Sequence, residues 1–256
     1  MIELSKPPKL AVVILAAGKG TRMNNPDLAK VMYQMHGKPM VEYVVELATK
    51  LQADRTLIVV GWQKDSIIGH LSGVNPRVEF VEQREQLGTG HAVLQTESAL
   101  EKLEGDLLVL SGDVPLLTEK TARALIGYHR TTEAVATILT AELDNPAGYG
   151  RIVRNEDGSV KRIVEDKDAS KKELAVKEIN SGIYVFEREK LFECLRLVKP
   201  NNAQGEYYLT DVFEIFWKNQ YRVSAVKAID SIEVIGINDP AQLDAARALM
   251  ASRTTA

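Results

Sequence analysis

A glycine-rich loop with basic side chains follows the first apolar run of the chain. Its residues are Leu15-Ala16-Ala17-Gly18-Lys19-Gly20-Thr21-Arg22-Met23, and Lys30 comes shortly afterwards. Glycine lets a backbone approach phosphate closely, and successive backbone N–H groups form an anion-binding concavity. The guanidinium of Arg22 can bind phosphate through two hydrogen bonds, whereas Lys30 is a compact point charge. The loop predicts a phosphate site, and a plain strand-to-helix turn with surface lysines is the alternative.

Two well-known glycine motifs do not account for this loop. The dinucleotide fingerprint G-x-G-x-x-G fails at its last position, and the second predicted strand ends at Gly61-Trp62 rather than at an acidic residue. The pattern G-x-x-x-x-G-K-[ST] of P-loop proteins is missing from the sequence. The loop therefore indicates a different kind of phosphate site.

The elements around the loop alternate between apolar runs and amphipathic stretches. Buried strands are predicted at 10–15, 56–60, 78–81, 106–110 and 134–141. Helices are predicted at 39–51 and 88–103, and a third helix has Thr118 as its N-cap. This rhythm favours an α/β fold with a doubly wound, mostly parallel sheet flanked by helices. Ligands of such sheets bind beyond the carboxyl ends of the strands, where the loop lies.

The pattern changes after residue 142. Short alternating segments at 150–154 and 160–165 flank Asp157-Gly158, a typical hairpin turn, and another strand is predicted at 179–186. We expect this middle section to form a small antiparallel insertion beside the main sheet. The polar stretch 166–177 is expected to be an exposed loop or a short helix. Further elements are predicted as helices at 188–197, 209–219 and after Pro240, and as a strand at 223–228.

Composition sets limits on the function. The 256 residues are 45% hydrophobic and 26% charged, as in ordinary globular proteins, and the formal net charge is −3. That charge disfavours general binding to nucleic acid or to acidic membranes, but it allows a small basic pocket. The run from Leu10 to Ala17 is far shorter than the roughly 20 residues of a membrane helix. The single cysteine, Cys194, fits a cytoplasmic protein, and the four scattered histidines make a zinc site unexpected.

The glycine loop and several later segments together resemble the sugar-phosphate nucleotidyltransferases. Within this family the sequence is most similar to the uridylyltransferase domain of the bifunctional bacterial enzymes that make UDP-N-acetylglucosamine. The segments that carry the resemblance beyond the loop are 83–92 (QREQLGTGHA), 112–115 (GDVP), 148–152 (GYGRI), 163–165 (IVE), 178–182 (EINSG) and 205–211 (GEYYLTD). The resemblance implies the Rossmann-like fold of that family. It also implies a single nucleotidyltransferase domain over 1–256, with a nucleotide-binding part at about 8–142, a sugar-binding part at about 143–230 and a C-terminal strand and helix at 231–256.

The resemblance also implies roles for particular residues. Arg22 and Lys30 would be catalytic, and Asp113 and Asn238 would bind Mg²⁺ through hard oxygen ligands. The alternative for Asp113 is an aspartate that forms the turn before Pro115, and the alternative for Asn238 is a residue in the N-terminal turn of a helix. The implied nucleotide-binding residues are Leu15, Ala16, Ala17, Gly18, Gly20, Thr21, Gln83, Gln86, Gly88, Thr89, Ser111 and Gly112. Side-chain amides match the donors and acceptors of uracil, although Gln83 and Gln86 would also suit the start of a helix.

The implied sugar pocket lies in the second half of the chain. Its residues would be Gly150, Glu165, Lys167, Asn180, Tyr208 and Thr210. A hairpin surface charge is the alternative for Glu165, and a core aromatic is the alternative for Tyr208. His91 is expected to pack near a helix start and not to react.

The expected reaction is Mg²⁺-dependent transfer of UMP from UTP to N-acetylglucosamine 1-phosphate, with release of pyrophosphate. The partners are then UTP and a sugar 1-phosphate, with no nucleic acid and no membrane. One alternative is a UTP- or dTTP-dependent enzyme that uses glucose 1-phosphate, and the other is a non-catalytic nucleotide-sugar binding protein. The bifunctional relatives carry a β-helix acetyltransferase domain after this one, and no hexapeptide repeat is seen here, so no acetyltransferase activity is expected.

Overall fold

The central sheet is built from apolar strands that are buried on both faces. The computed structural model describes residues 8–23, 25 and 27–254. Its strands are β1 Lys9–Ala16, β2 Gln34–Met35, β3 Lys38–Pro39, β4 Arg55–Val60, β5 Glu79–Glu82, β6 Gly105–Ser111, β7 Ala136–Glu142, β8 Gly150–Arg154, β9 Val160–Val164, β10 Glu178–Glu187 and β11 Val223–Lys227. Alternate residues of β1 pack into two different cores, since Val12 and Ile14 face one layer of helices and Ala11 and Val13 face the other. Such strands have near-continuous apolar sequences, as β1 does.

Helices cover both faces of the sheet. They are α1 Met40–Lys50, α2 Lys64–Val74, α3 Thr89–Leu94, α4 Glu97–Leu100, α5 Glu119–Thr132, α6 Lys171–Leu174, α7 Arg188–Leu195, α8 Asp211–Lys218 and α9 Pro240–Thr254. Helices α1, α2 and α5 contribute to the core that contains Val12, and α3, α7 and α8 contribute to the core that contains Val13. Short 3-10 helices lie at Thr21–Met23, Lys30–Met32 and Ser231–Val234. None of the helices within the described residues has the length and apolar character to cross a membrane.

The sheet is mixed and mostly parallel, as predicted. The strand order is β11-β7-β10-β6-β1-β4-β5, and β8 and β9 extend from β10. Strand β1 is parallel to β4 and β6, whereas β10 is antiparallel to β6, β7 and β8. The predicted antiparallel insertion is thus the β8–β9 hairpin, but β10 lies within the main sheet and not beside it. A separate two-stranded sheet pairs β2 with β3.

Three details differ from the predicted elements. The helix predicted at 88–103 is split into α3 and α4, where the hydroxyl of buried Thr96 donates to the carbonyl of Val93 at 2.7 Å and so competes with regular helix geometry. Helix α2 was not predicted, because only Ile67 and Leu71 of it are buried and two glycines lower its helix propensity.

The third difference concerns the C-terminal strand expected in 231–256. Within the described residues this region contains the 3-10 helix Ser231–Val234 and α9, and no strand. The side chain of Asp230 accepts a hydrogen bond from the backbone N–H of Ile232 at 3.0 Å, which starts a helical turn at this point. The predicted Thr118 cap of α5 is confirmed, since its side chain accepts from the N–H of Thr121.

Candidate active site

The glycine loop leaves the carboxyl end of β1 and passes close to Lys30. Gly20 has a φ of +60°, and a Cβ atom at this position would lie 2.5 Å from Cβ of Lys30. Glycine is therefore required both by the backbone conformation and by the close approach. The loop closes with a hydrogen bond of 2.9 Å from the N–H of Met23 to the carbonyl of Gly20. This arrangement holds the backbone of Lys30 against the loop.

A cavity of about 540 Å³ lies over the loop at the carboxyl edge of the sheet. Most of the predicted nucleotide-binding residues line it, and so do the predicted catalytic Lys30 and the predicted metal ligand Asp113. Its lining residues from those predictions are Leu15, Ala16, Ala17, Gly18, Gly20, Thr21, Lys30, Gln83, Gln86, Gly88, Thr89, Ser111 and Asp113. Gly112 is not among them, and its N–H donates to the carbonyl of Leu15 at 2.9 Å. Its role in the structure is to join the ends of β6 and β1.

The segment that follows β5 is held in place by its own glutamine side chains. Nε2 of buried Gln83 donates to the carbonyl of Gly88 at 3.0 Å and lies 3.0 Å from Nδ1 of His91. Nε2 of Gln86 donates to the carbonyl of Gln83 at 3.1 Å. Both amides thus brace the turn before α3 while lining the cavity. His91 packs at this helix start, where its ring lies 6.3 Å from that of Tyr207.

The start of α3 is joined to the segment before α8. Gly88 has a φ of +112°, and an added Cβ would lie 2.6 Å from the carbonyl oxygen of Tyr207. The N–H of Tyr207 donates to the carbonyl of Leu87, and the N–H of Gly90 donates to that of Tyr207. The hydroxyl of Thr89 accepts from the N–H of Leu209 at 3.0 Å. Two segments more than 100 residues apart therefore form one wall of the cavity.

Four side chains form what we call the polar cluster: Arg22, Lys30, Asp113 and Asn238. Nζ of Lys30 donates to Oδ2 of Asp113 and also to Oδ1 of Asn238, the latter at 3.0 Å. Nη2 of Arg22 donates to the same Oδ1 of Asn238 at 2.9 Å. The side chains of Lys30 and Asp113 are 17% and 15% exposed. The structure thus brings Lys30 onto both predicted metal ligands and Arg22 onto one of them, Asn238.

Backbone contacts fix the two oxygen-bearing members of the polar cluster. The N–H of Ile237 donates to the carbonyl of Asp113 at 2.9 Å, which ties the segment before α9 to the end of β6. Nδ2 of Asn238 donates to the carbonyl of Gly236 at 3.0 Å, and its own N–H donates to Oε1 of Gln242 at 2.7 Å. Asn238 lies just before α9, which begins at Pro240, and so is outside the first turn of that helix. Its side-chain oxygen points toward Lys30.

The oxygen pair of Asp113 and Asn238 has the chemistry of a site for a hard divalent cation. The two oxygens converge on one positive charge, and that charge is the ammonium of Lys30. Mg²⁺ takes one or two protein oxygens and completes its shell with water and substrate phosphates. In the part of the chain that the structure describes, no group of three or more His, Cys, Asp or Glu side chains forms a metal site. The two oxygens fit Mg²⁺ only together with ligands from substrate.

A second cavity of about 200 Å³ adjoins the first. Leu15, Thr89 and Ser111 line both cavities. Four of the predicted sugar-binding residues line the second one, namely Gly150, Glu165, Asn180 and Thr210. A β-bulge in β10 lies between Asn180 and Tyr184, where Gly182 has a φ of +77°. Bulges of this kind redirect side chains, and here the bulged residues form the floor of the cavity.

Glu165 supplies a partly buried carboxyl group to this second cavity. The hydroxyl of Thr210 donates to its Oε1 at 2.8 Å. Burial raises the pKa of Glu165 above its usual range, the Thr210 hydrogen bond opposes this, and the carboxylates of Asp168 and Asp166 raise it further. Nδ2 of Asn180 donates to the hydroxyl of Tyr184 at 2.6 Å. The cavity therefore presents a carboxyl, an amide and a hydroxyl, which suit the hydroxyl and amide groups of a sugar derivative.

Two predicted sugar-binding residues do not line either cavity. Tyr208 is buried, and its hydroxyl accepts from Nε2 of Gln204 at 2.7 Å. Nζ of Lys167 donates to Oε1 of the same glutamine. Gln204 therefore links Lys167 to Tyr208 outside the lining of both cavities.

Tyr149 is a residue of the site to which sequence reasoning gave no role. It lines the second cavity, and its hydroxyl accepts from the N–H of Gly236 at 3.2 Å, so it connects this cavity to the polar cluster. Burial raises the pKa of its hydroxyl. A signal was present, because Tyr149 lies between two glycines of a segment that carried the resemblance. Glu206 lines the first cavity and also had no predicted role, although it lies in the segment 205–211 that carried the resemblance.

Comparison with known proteins gives the class to which this fold and site belong. The model of the nucleotidyl transferase family matches residues 11–233, and the chain belongs to that family. A structure of UDP-glucose pyrophosphorylase complexed with UDP-glucose has the same fold, with a TM-score of 0.74 and 18% sequence identity. That similarity covers 96% of this chain and 99% of the other.

Curated relatives are more similar in sequence. The bifunctional protein GlmU of Streptococcus gordonii is 48% identical over 241 residues, which are 94% of this chain and 52% of that protein. The bifunctional protein GlmU of Geobacillus sp. strain WCH70 is 49% identical over 245 residues, which are 96% of this chain and 52% of that protein. The chain thus spans about half the length of the curated relatives that it matches.

Proposed function

We propose that this protein transfers UMP from UTP to N-acetylglucosamine 1-phosphate, giving UDP-N-acetylglucosamine and pyrophosphate. The observation that carries the proposal is the polar cluster beside two adjoining cavities, one over a glycine loop and one lined by sugar-compatible groups. The similarity to GlmU proteins and the segment-by-segment resemblance of the sequence support the particular substrates.

The reaction requires two polyanions to meet. An oxygen of the sugar phosphate forms a bond to the α-phosphorus of UTP, and the bond from that phosphorus to the oxygen bridging to the β-phosphate breaks. Pyrophosphate leaves with the electron pair. The nucleophile is already an anion near neutral pH, so positioning and charge stabilisation carry the catalysis.

The residues of the first cavity have the roles of binding and charge neutralisation in this proposal. Gly18 to Arg22 would surround the triphosphate, with Arg22 on the leaving pyrophosphate and Lys30 between the reacting phosphates. Gln83 and Gln86 would face the uracil ring, next to Gly88 and Thr89. Gln83 already donates through its amide nitrogen within the protein, so its oxygen is the atom we assign to the N3–H of uracil.

The residues of the second cavity would bind the sugar. Glu165 and Asn180 would hydrogen-bond to sugar hydroxyls and to the acetamido group, near the backbone of Gly150 and the hydroxyl of Thr210. Tyr208 and Lys167 would join only after their contacts with Gln204 rearrange. Mg²⁺ bound to Asp113, Asn238 and phosphate oxygens would neutralise charge on the triphosphate.

A pyrophosphate-release assay tests the proposal. It crosses UTP, dTTP and CTP with N-acetylglucosamine 1-phosphate and glucose 1-phosphate, each with and without Mg²⁺. We expect release with UTP, N-acetylglucosamine 1-phosphate and Mg²⁺. Release only with glucose 1-phosphate would support the same class of reaction with a different substrate. No release in any combination would refute the proposed enzymatic activity.

A further inference from the structure

The position between Asp113 and Asn238 is held by a cation that belongs to the protein itself. The ammonium of Lys30 donates to Oδ2 of Asp113 and to Oδ1 of Asn238. These are the same two oxygens that the proposed function assigns to Mg²⁺. One ammonium and one metal ion cannot occupy one point between two oxygens, so the two cations must exclude each other there.

The oxygen of Asn238 is fully engaged in this arrangement. A carbonyl oxygen has two lone pairs, and Oδ1 accepts from Lys30 at 3.0 Å and from Arg22 at 2.9 Å. The amide cannot turn away without losing the hydrogen bond from Nδ2 to the carbonyl of Gly236. A metal ion that binds Oδ1 must therefore displace at least one of the two basic side chains.

Of the two basic side chains, only Lys30 contacts both oxygens, so its ammonium is the group that a metal ion between them must displace. Lys30 lines the nucleotide cavity as well as contacting Asp113, and its Cβ packs against Gly20 of the phosphate-binding loop. Rotation of its flexible four-carbon stem can carry the ammonium from Asp113 to phosphates over the loop without moving the backbone. A triphosphate offers more negative charge than one aspartate and one amide.

We propose that Lys30 is a built-in competitor for the divalent cation: it fills the metal position in the ligand-free protein and gives it up when it moves to substrate phosphates. This inference rests on the proposed function, since it takes the metal position from it. Its consequence is that triphosphate and metal ion promote each other's binding, because each favours the same position of Lys30. The metal ion alone then binds weakly, since it has to break a largely buried ion pair.

Binding of Mn²⁺ without nucleotide tests the competition directly. Mn²⁺ is a hard divalent probe that is suited to oxygen ligands and is visible by electron paramagnetic resonance. We expect Lys30→Met to bind Mn²⁺ about tenfold more tightly than the wild type, a change equivalent to about 1.4 kcal/mol. Equal or weaker binding by this variant would overturn the proposal.

Lys19→Met is the matched control for loss of a nearby positive charge. Lys19 lines the same cavity, but its ammonium lies over the ring of Trp62, 5.7 Å from the ring centre. We expect this variant to bind Mn²⁺ within about twofold of the wild type, because its charge lies outside the metal position. A gain equal to that of Lys30→Met would show a general charge effect and would overturn the competition.

Labelling of lysine amines in the wild-type protein gives a test that needs no variant to fold. The rate of reductive methylation at Lys30, followed by mass spectrometry, should rise severalfold when Mn²⁺ is added, while the rate at Lys19 stays constant. An unchanged rate at Lys30, at a Mn²⁺ concentration that fills the site, would contradict the displacement. The pyrophosphate-release assay tests the proposed function separately. If the enzyme is active but Mn²⁺ does not displace Lys30, only the competition is refuted. If Mn²⁺ displaces Lys30 in a protein without activity, the competition is supported and the proposed function is refuted.

Discussion

At the scale of single residues, the site depends on a few side chains whose surroundings differ sharply. Arg22 is exposed and donates to Asn238, whereas Lys30 and Asp113 are largely buried. Glu165 and Asp211 are acidic groups near one another whose pKa values are raised by burial. Exposed groups of this kind can be removed with little change in stability, whereas buried acidic groups link stability to pH.

Arg22→Ala should lower the rate of pyrophosphate release by at least about 100-fold, because it removes the guanidinium that the proposed function places on the leaving pyrophosphate. The melting temperature should stay within about 2 °C, since the side chain is exposed. The measurements are steady-state kinetics and thermal unfolding. Arg77→Ala, an exposed arginine just before β5 at the opposite edge of the sheet, is the control and should retain wild-type activity. A large loss of stability in Arg22→Ala would instead indicate a structural role.

Asp211→Asn should change how stability depends on pH. Burial, with help from the carboxylate of Glu165, raises the pKa of Asp211 from 3.8 to about 6. The folded state therefore holds this proton more tightly, and the stability that the protonated group contributes is lost as pH rises from about 4 through 6. Asparagine stays neutral throughout.

The free energy of unfolding of Asp211→Asn, relative to the wild type, should accordingly increase between pH 4 and pH 7.5. The expected increase is about 1–2 kcal/mol after allowance for solvent screening. Urea unfolding at several pH values measures it. A difference that is constant over this range would show that Asp211 does not titrate as described.

At the scale of elements, the site is made where strands end and where glycines allow segments to touch. The loop after β1, the turn before α3 and the end of β6 all lie at the carboxyl edge of the sheet. Helix α3 is short and begins directly against the carbonyl of Tyr207. In contrast, α5 is a longer surface helix that supports the sheet from one face. A glycine in α3 should therefore respond to substitution differently from one in α5.

Gly127→Ala and Gly90→Ala form a matched pair that tests this difference. A Cβ atom at Gly127 meets nothing within 4 Å, so alanine should raise the free energy of unfolding by about 0.5–1 kcal/mol through helix propensity. At Gly90 a Cβ atom would lie 2.9 Å from the carbonyl oxygen of Tyr207, so alanine should lower it by about 1–3 kcal/mol. Urea unfolding of both variants is the measurement. Equal effects would mean that α3 can move away from Tyr207.

At the scale of the whole molecule, residues 23–40 and the helix α9 meet beside the site. A third apolar cluster joins Met23, Met35 and Met40 to Leu243 and Ala246 of α9. The guanidinium of Arg247 donates to the carbonyl of Gln34 at 2.7 Å, which adds a polar contact between the same parts. Because α9 begins just after Asn238, this packing holds one side of the polar cluster.

Leu243→Ala should lower the free energy of unfolding by about 2–4 kcal/mol, because the leucine is buried and leaves a cavity behind. It should also raise the substrate concentration needed for half-maximal rate, since Asn238 loses its support. Leu197→Ala is the control, because Leu197 is 60% exposed and its truncation should cost no more than about 0.5 kcal/mol. Comparable losses in both variants would show that the third cluster does not stabilise the fold.

The sequence by itself predicted the strands of the main sheet, most of the helices and many of the residues that line the two cavities. These depend on local properties: apolar runs form buried strands, Thr118 caps α5, and glycines permit the close turns at Gly20 and Gly88. Where local signals were weak, as in α2, or contradictory, as at Thr96 between α3 and α4, the predicted elements were missing or too long.

Only the tertiary structure decided how those residues meet. Lys30 and Asn238 are 208 positions apart, and their contact depends on α9 packing against residues near the start of the chain. Long-range packing also decides three further contacts. Lys30 lies on Asp113 and Arg22 lies on Asn238. Tyr149 connects the two parts of the site, and Lys167 contacts Gln204. Local sequence patterns encode periodicity and turns, whereas contacts between distant side chains appear only when the complete sheet and its helices place them together.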